Sequence, residues 1–464
     1  MRLERKDVEK RRSDSRVNMT DMTQGNPYKL IFLFSLPLLF GNVLQQLYNM
    51  VDSIVVGNVI GDKALAAVGT GFPIIFMMSS LFMGIGVGAT VMISQFYGAK
   101  DFKRVNETVG TIYTAMTVSI IPLSLIGILA SKPLLQLIKV PDDGTLGMAH
   151  TYMVIIFIGM IGSLGYNINA GILQGLGDSK TSLLFLAVAT VINIVLDLLF
   201  AIPLHMGVAG VALATIIAQI SSWVFGIRFI NKHYDFIHIQ LHKFFFDKKL
   251  FIQAIKLGIP SGIQQALFSI GTMVMQSLVN SYGFNFMAGF NGANKIDTFA
   301  FMPIQSFTTA MTTYTGQNIG AGNHPRVYQG IRAGTVIAVG SSILIGAILY
   351  PLSGFMMQMF SKSPEVIDAG VSYLHCVLPF YFLLAIVFMF NSTLRGTGET
   401  IIPMISSFVA LWFARVPIAY FIAEHWGKNY LFLSYGFGWA LGSLISGIYF
   451  STGRWKRKSL VKHE

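Results

Sequence analysis

Apolar residues run in long blocks separated by short polar breaks, and each block reaches roughly 20 residues or more with few ionisable groups, enough to cross about 30 Å of hydrocarbon as a helix. Twelve such blocks can be read, near 30–56, 65–97, 105–130, 147–174, 181–203 and 207–230, then near 251–281, 286–319, 327–350, 366–393, 401–423 and 430–452. The longest predict tilt, helix ends that protrude from the bilayer, or kinks at Pro37 and Pro73. The fold class that follows is an all-α, polytopic membrane protein of twelve transmembrane helices.

Composition sharpens this. Of 464 residues, 53% are hydrophobic and only 12% charged, against roughly a quarter charged in a soluble domain. The net charge of +12 does not point to nucleic acid, because the basic residues lie between the apolar blocks instead of clustering with aromatic platforms. A lone cysteine, Cys376, rules out an internal disulfide or a thiolate metal cluster. Residues 1–28 hold Arg2, Arg5, Lys6, Lys10, Arg11, Arg12 and Arg16 interleaved with acids and no apolar core, so they predict a cytoplasmic tail and not a signal peptide. With that tail inside, 26 of the 33 Lys and Arg fall on cytoplasmic segments, Arg395 among them, and five outside, at Lys63, Lys132, Lys139, Lys362 and Lys428. Both termini are then cytoplasmic, the basic stretch 454–464 being the second tail. The longest inside connection, 231–250, mixes His233, His238, His242 and Lys243 with Phe236, Phe244, Phe245 and Phe246, as expected of an amphipathic linker in the membrane surface.

The chain repeats itself. QFYGAKDFKRV from Gln95 returns as QNIGAGNHPRV from Gln317, and LQGLGDSKT from Leu173 returns as LRGTGETII from Leu394. Pro37 pairs with Pro260 and GVALAT from Gly210 with GWALGS from Gly438, all in order and offset by 221 to 228 residues. Six spans per half is an even number, so the halves 29–230 and 251–453 share one orientation and are related by a pseudo-twofold axis along the membrane normal. Together with LPLLFGNVLQQLYNMVDSIVVG from Leu36, these paired motifs resemble the multidrug and toxic compound extrusion (MATE) family over essentially the whole chain from Lys29 to Gly453. The resemblance implies two six-helix lobes in a V shape and cation-coupled efflux of amphipathic, often cationic drugs.

Ionisable groups inside spans are costly and therefore functional candidates; here they are Asp52, Asp197, Lys295, Asp297, His375 and Arg415. Asp197 follows Asn193 by four residues, so amide and carboxylate share one helix face. Counting 1.5 Å per residue from Thr181 puts Asp197 about 24 Å along its span, in the outer half. Asp52 lies late in an outward-running helix and is expected to meet Asp197 there. Dryness disfavours a charged carboxylate while amides or a bound cation favour it, the tension a proton or sodium switch needs. The Asn-x-x-x-Asp pattern is similar to one in the fifth helix of the DNA-damage-inducible branch of the family, and that resemblance adds Asn167 and Tyr152 to the same site, with Asn169 as the weaker substitute for Asn167, and makes Asp52 the central protonation site. The acids that another bacterial branch carries in its seventh and tenth helices are replaced here by Gln264, Gln265 and Gln276, and by His375 and Cys376. Phe72, Phe76, Phe82, Met77, Met78 and Met83 fit a promiscuous cavity or plain packing. Gln45, Gln264, Gln265, Met275, Lys295, Asp297 and Arg415 complete the residues expected to line a substrate cavity with Met77 and Met78.

GLGD at 175–178 lacks the strand and Lys-Ser/Thr ending of a phosphate loop and reads as a turn. With no HExxH, no metal-ligand spacing and no convergent catalytic cluster, no enzyme, metal or cofactor is expected beyond a coupling proton or sodium ion. A channel would not need acids confined to one lobe. The sequence thus predicts a monomeric secondary multidrug antiporter of the cell membrane, with small drugs and toxic organic cations as cargo and lipid as surroundings. The alternative is a flippase for lipids or lipid-linked oligosaccharides, which would want a basic central cavity, for which only Lys295 and Arg415 stand in mid-span.

Overall fold

The computed structural model describes residues 19–138, 140–241 and 243–461, apart from the side chains of Leu81 and Phe82. The first 18 residues of the expected tail, the Phe82 side chain, Lys139, His242 and Lys462 lie outside the described residues.

Among the described residues the backbone forms twelve helical rods: α1 Pro27–Ile60, α2 Asp62–Gly98, α3 Phe102–Leu137, α4 Thr145–Ile158 plus Met160–Gly175, α5 Ser179–Ala201, α6 Gly207–His233, α7 Lys248–Asn280, α8 Phe284–Gly320, α9 His324–Gln358, α10 Pro364–Gly396, α11 Ile401–His425 and α12 Lys428–Ser451. Nine of them contain a stretch long and apolar enough to span a membrane, and α4 makes a tenth if its two pieces, bent by 52°, count as one. The remaining two, α7 and α8, have the length. Amide and charged side chains such as Gln264, Gln265, Lys295 and Asp297 dilute their apolarity. The exposed stripe Val118, Ile121, Leu125 and Leu129 on α3 follows the helical period and would be untenable in water; in a bilayer it meets lipid.

The repeated motifs make the same joints twice. Asp178 caps α5, accepting from the Thr181 N–H at 2.9 Å and the Tyr234 hydroxyl at 2.7 Å; its counterpart Glu399 caps α11 through Ile401 N–H at 3.0 Å and takes the Tyr449 hydroxyl at 2.9 Å. Asp101 caps α3 and Asn323 caps α9. Each GLGD-type turn places a glycine, Gly177 and Gly398, at φ of 84° and 94°, where a side chain would be strained. The bend in α4 falls at Gly159, where a β-carbon would overlap the side chain of Ile216 on α6.

The molecule divides into two compact units that do not coincide with the halves of the sequence. One comprises Leu44–Ile75 and Lys100–Ile252, the other Met22–Val43, Phe76–Ala99 and the chain from Gln253. In the second unit the paired motifs face each other: a β-carbon on Gly98 would strike the Gln317 backbone, and one on Gly320 the Gln95 backbone. The two glutamines then hold the terminal segments, Gln317 Oε1 accepting from Met22 N–H at 2.9 Å and Gln95 Oε1 from Leu460 N–H at 2.8 Å. In the first unit, the connection between α6 and α7 is not helical. It lies along α3, with His238 N–H donating to Asn106 and the Phe245 carbonyl accepting from Thr114, while Phe244, Phe245 and Phe246 remain exposed.

Candidate functional site

The first unit gathers polar groups at one place between α1, α4, α5 and α6. Asn193 and Asp197, one turn apart on α5, are 1% and 0% exposed. With its amide oriented to satisfy both neighbours, Asn193 Nδ2 donates to Asp197 Oδ2 at 2.8 Å while its Oδ1 accepts from the Thr215 N–H at 3.3 Å. The Thr215 hydroxyl lies 3.4 Å from that of Tyr48 on α1. Asp52 sits one turn after Tyr48, and its charge reaches Tyr48, Tyr152 and Asp197. Both acids are incompletely satisfied: Asp52 Oδ1 and Asp197 Oδ1 are shielded from solvent and accept no hydrogen bond. In a low-dielectric site that is an unstable arrangement for two negative charges, and a bound proton or a small cation would relieve it. A cavity of about 40 Å³ adjoins the cluster, lined by Gln45, Tyr48, Tyr166, Asn193, Thr215 and Gln219 among others; a single water needs about 10–15 Å³. Directly after Asp52, α1 widens into a π-helical turn at Val56–Ile60, an irregularity that recurs where helices are built for function.

The second unit holds a larger cavity of about 420 Å³ between α2, α7, α8, α10, α11 and α12. Its walls combine rings, among them Phe268, Phe388 and Trp439, with the amides of Gln264, Gln265, Gln305 and Asn391 and two arginines, Arg395 and Arg415. Arg395 Nη2 donates to Gln264 Oε1 at 3.0 Å, and Gln264 Nε2 passes the chain to Ser407 Oγ at 2.6 Å. Arg415 stands at the end of a second π-helical turn, Ala410–Arg415, with its guanidinium 3.3 Å over the Tyr435 ring. Asp297 is tied to the hydroxyls of Tyr381 and Tyr373 and feels the charge of Arg415.

Two homologous sets of apolar helices, with polar groups buried in each compact unit, match a known architecture. The MatE family model covers residues 37–199 and 260–421, one stretch in each half. The chain belongs to the MATE family of membrane transporters. It is 31% identical over 442 residues to the probable multidrug resistance protein YpnP of Bacillus subtilis, spanning 95% of this chain and 98% of the relative. It is 30% identical over 448 residues to the probable multidrug resistance protein YoeA of the same organism, spanning 94% and 96%. Its fold matches an outward-facing multidrug resistance MATE transporter with a TM-score of 0.88 at 23% identity, covering 95% of this chain and 99% of that one.

Within this MATE transporter the residues singled out from sequence distribute unevenly. Asp52, Asp197, Asn193 and Tyr152 come together. Asn167 does not join them through any hydrogen bond; its side chain turns back to its own helix, donating to the Ser163 carbonyl at 2.8 Å, and its neighbour Tyr166 lines the small cavity instead. Asn169 is buried in a clasp between Tyr113 and the Trp223 carbonyl. Of the expected substrate-cavity residues, Gln264, Gln265 and Arg415 line the larger cavity, and Gln45 lines the small one. Met77 and Lys295 are exposed, Met78 is half-buried, and Met275 is packed in the core; none of the four, nor Asp297, lines the larger cavity. His375 bridges from α10 to Ser353 and the Tyr350 carbonyl on α9, and Cys376 donates to the Asn429 carbonyl on α12, so both tie helices together.

Tyr48, Thr215 and Arg395 escaped the sequence reading. Tyr48 carried a signal, the same four-residue spacing from an acid that marks Asn193. Arg395, counted above among the cytoplasmic loop charges, lies in the last turn of α10 with its side chain on the cavity. Its signal was a broken repeat: the position that is Gln174 in the first half is arginine in the second.

Proposed function

We propose that this MATE transporter is a secondary active multidrug exporter of the cell membrane, with both termini cytoplasmic, that exchanges organic, often cationic, amphipathic compounds for protons, sodium ions or both by alternating access. The observation that carries the coupling is the buried Asn193–Asp197 pair facing Asp52, with an unpartnered oxygen on each acid. Neutralising this pair by a proton or cation changes the electrostatic cost of burying it, and an ion drives a conformational change only through such a difference in affinity between two states. The π-helical turn beyond Asp52 offers a second helical winding that the ion can bias. The multidrug names of relatives at 30–31% identity support the cargo.

Ethidium accumulation in cells tests this, comparing wild type with Asp52→Asn, Asp197→Asn and Asn193→Ala at matched expression while the pH gradient and sodium are varied separately. The wild type is expected to lower accumulation and the three variants to lose most of that ability, the effective gradient naming the ion. Accumulation unchanged by the wild type would refute drug export and leave the flippase in front; variants as active as wild type would refute the coupling site while export stood.

A further inference from the structure

The larger cavity has a charge opposite to what an exporter of organic cations would be expected to offer. None of the residues that line it is acidic, and two are arginines. Among the described residues no ion pair joins either arginine to a carboxylate, and each keeps its Nε–H without an acceptor. Arg415 is 95% buried, being 5% exposed, so water does not make good the missing partner. Asp297 offsets part of the Arg415 charge from behind the Tyr381 and Tyr373 hydroxyls, which leaves Arg395 as the uncompensated cation. Gln264 orients the Arg395 guanidinium but brings only an amide dipole to it. Arg395 is half-buried in the last turn of α10, with its side chain on the cavity, and a charge left unpaired in such a place is a candidate for ligand binding.

We propose that this cavity is a binding site for aromatic compounds that carry a carboxylate or another compact anion, with Arg395 as the anion anchor, Arg415 as a second donor, and Phe268, Phe388 and Trp439 as the surface for the rings. A guanidinium donates two parallel hydrogen bonds to a carboxylate, a match no cation can make. The volume of about 420 Å³ admits two or three fused rings with a substituent. The reading rests on the efflux proposal only for the direction of transport, and extends its cargo from cations to zwitterionic and anionic drugs.

Fluorescein and rhodamine 123 share a xanthene skeleton and differ in charge, one anionic and the other cationic at neutral pH. Full-length protein in phosphatidylcholine nanodiscs is titrated with each dye and followed by fluorescence anisotropy. Fluorescein is expected to bind about tenfold or more tightly than rhodamine 123, and Arg395→Gln, which installs the residue of the first repeat, to erase that difference while Arg395→Lys restores part of it. Equal affinity of the wild type for both dyes overturns the proposal without recourse to any variant, as does an Arg395→Gln protein of unaltered dye preference. Displacement of fluorescein by phosphatidylglycerol doped into the nanodisc at a few mole per cent would assign the anchor to a lipid headgroup and overturn the drug-site reading. Binding and export are separate readouts. A chain that binds fluorescein through Arg395 yet never lowers ethidium refutes export alone, and one that exports ethidium without preferring fluorescein refutes the anion site alone.

Discussion

At the scale of single residues, the proposed coupling site joins Asn193 and Asp197, one turn apart on α5, to Thr215 on α6 and, through its hydroxyl, to Tyr48 on α1. Asn193 and Asp197 declare themselves because two polar residues one turn apart interrupt an otherwise apolar span. Thr215 does not, since a threonine on α6 usually satisfies its own hydroxyl by bonding the carbonyl four residues back, and Thr215 does this with Val211 at 3.1 Å. Only the fold brings its backbone N–H to Asn193 and its hydroxyl towards Tyr48. Replacing Tyr48 by Phe keeps the ring and removes that hydroxyl. The single 3.4 Å contact it loses is worth at most about 1 kcal/mol, so folding should be almost untouched. We expect Tyr48→Phe to shift the proton or sodium concentration that gives half-maximal ethidium export several-fold, with a melting temperature in detergent close to that of wild type; an unshifted ion dependence would remove Tyr48 from the site. Asn193→Ala should behave differently, because it removes the amide that donates to Asp197 and leaves that carboxylate oxygen buried and unsatisfied at a cost of about 1–3 kcal/mol. Its loss of export should come with a measurable fall in thermal stability.

At the scale of elements, the sequence repeats announced the turns but not the reasons they recur. The acids of the paired LQGLGD and LRGTGE motifs each cap a helix and receive a tyrosine hydroxyl, Tyr234 just past the end of α6 and Tyr449 near the end of α12. The shared turn was visible in the motif; the tyrosines, Tyr234 and Tyr449, sit outside any repeat of matching spacing and were not. Removing such a cap costs about 1 kcal/mol, and the orphaned tyrosine adds to it. Asp178→Ala and Glu399→Ala are therefore expected to lower the detergent melting temperature by similar amounts, while an Asp178→Asn change, which keeps one acceptor oxygen, should lose less. The second joint is steric. Gly98 and Gly320 allow backbone to approach backbone where the motifs of the two halves cross in one unit. Gly320→Val has no room to relax, since the atoms it meets belong to the Gln95 backbone and not to a flexible side-chain tip. Overpacking of this kind costs about 1–3 kcal/mol or more, and the expected outcome is a sharp fall in monodisperse protein on size-exclusion chromatography; wild-type yield from Gly320→Val would show that the crossing is looser than described. The bend of α4 was beyond reach of the sequence for a related reason, because Gly159 is one of many glycines and only the position of Ile216 on α6 distinguishes it.

At the scale of the molecule, gene duplication and compact packing partition the chain differently. The duplication divides it between α6 and α7, whereas the second unit also takes in Met22–Val43 and Phe76–Ala99 from the first half. The consequence is chemical as well as geometric. The backbone of α7 at Gly258 lies where a β-carbon on Gly84 of α2 would strike it, and Gln317 and Asn318 on α8 are satisfied by the Met22 backbone. A second half made without the first would therefore expose small-residue grooves and lose the backbone partners that Met22 gives to Gln317 and Asn318. Severing the chain within the non-helical connection between α6 and α7, for instance between Gln240 and Leu241, should leave every helix intact. We expect the fragment from Leu241 onward to be degraded when expressed alone, and to reach near wild-type levels and restore ethidium export when residues 1–240 are supplied from a second plasmid. The first fragment should survive alone better, because Leu44–Ile75 and Lys100–Ile252 supply nearly all of its own unit. Equal stability of the two isolated halves would mean that the repeat, and not the compact unit, is the element that folds, and that the segments α1 and α2 lend to the second unit contribute little to holding it together.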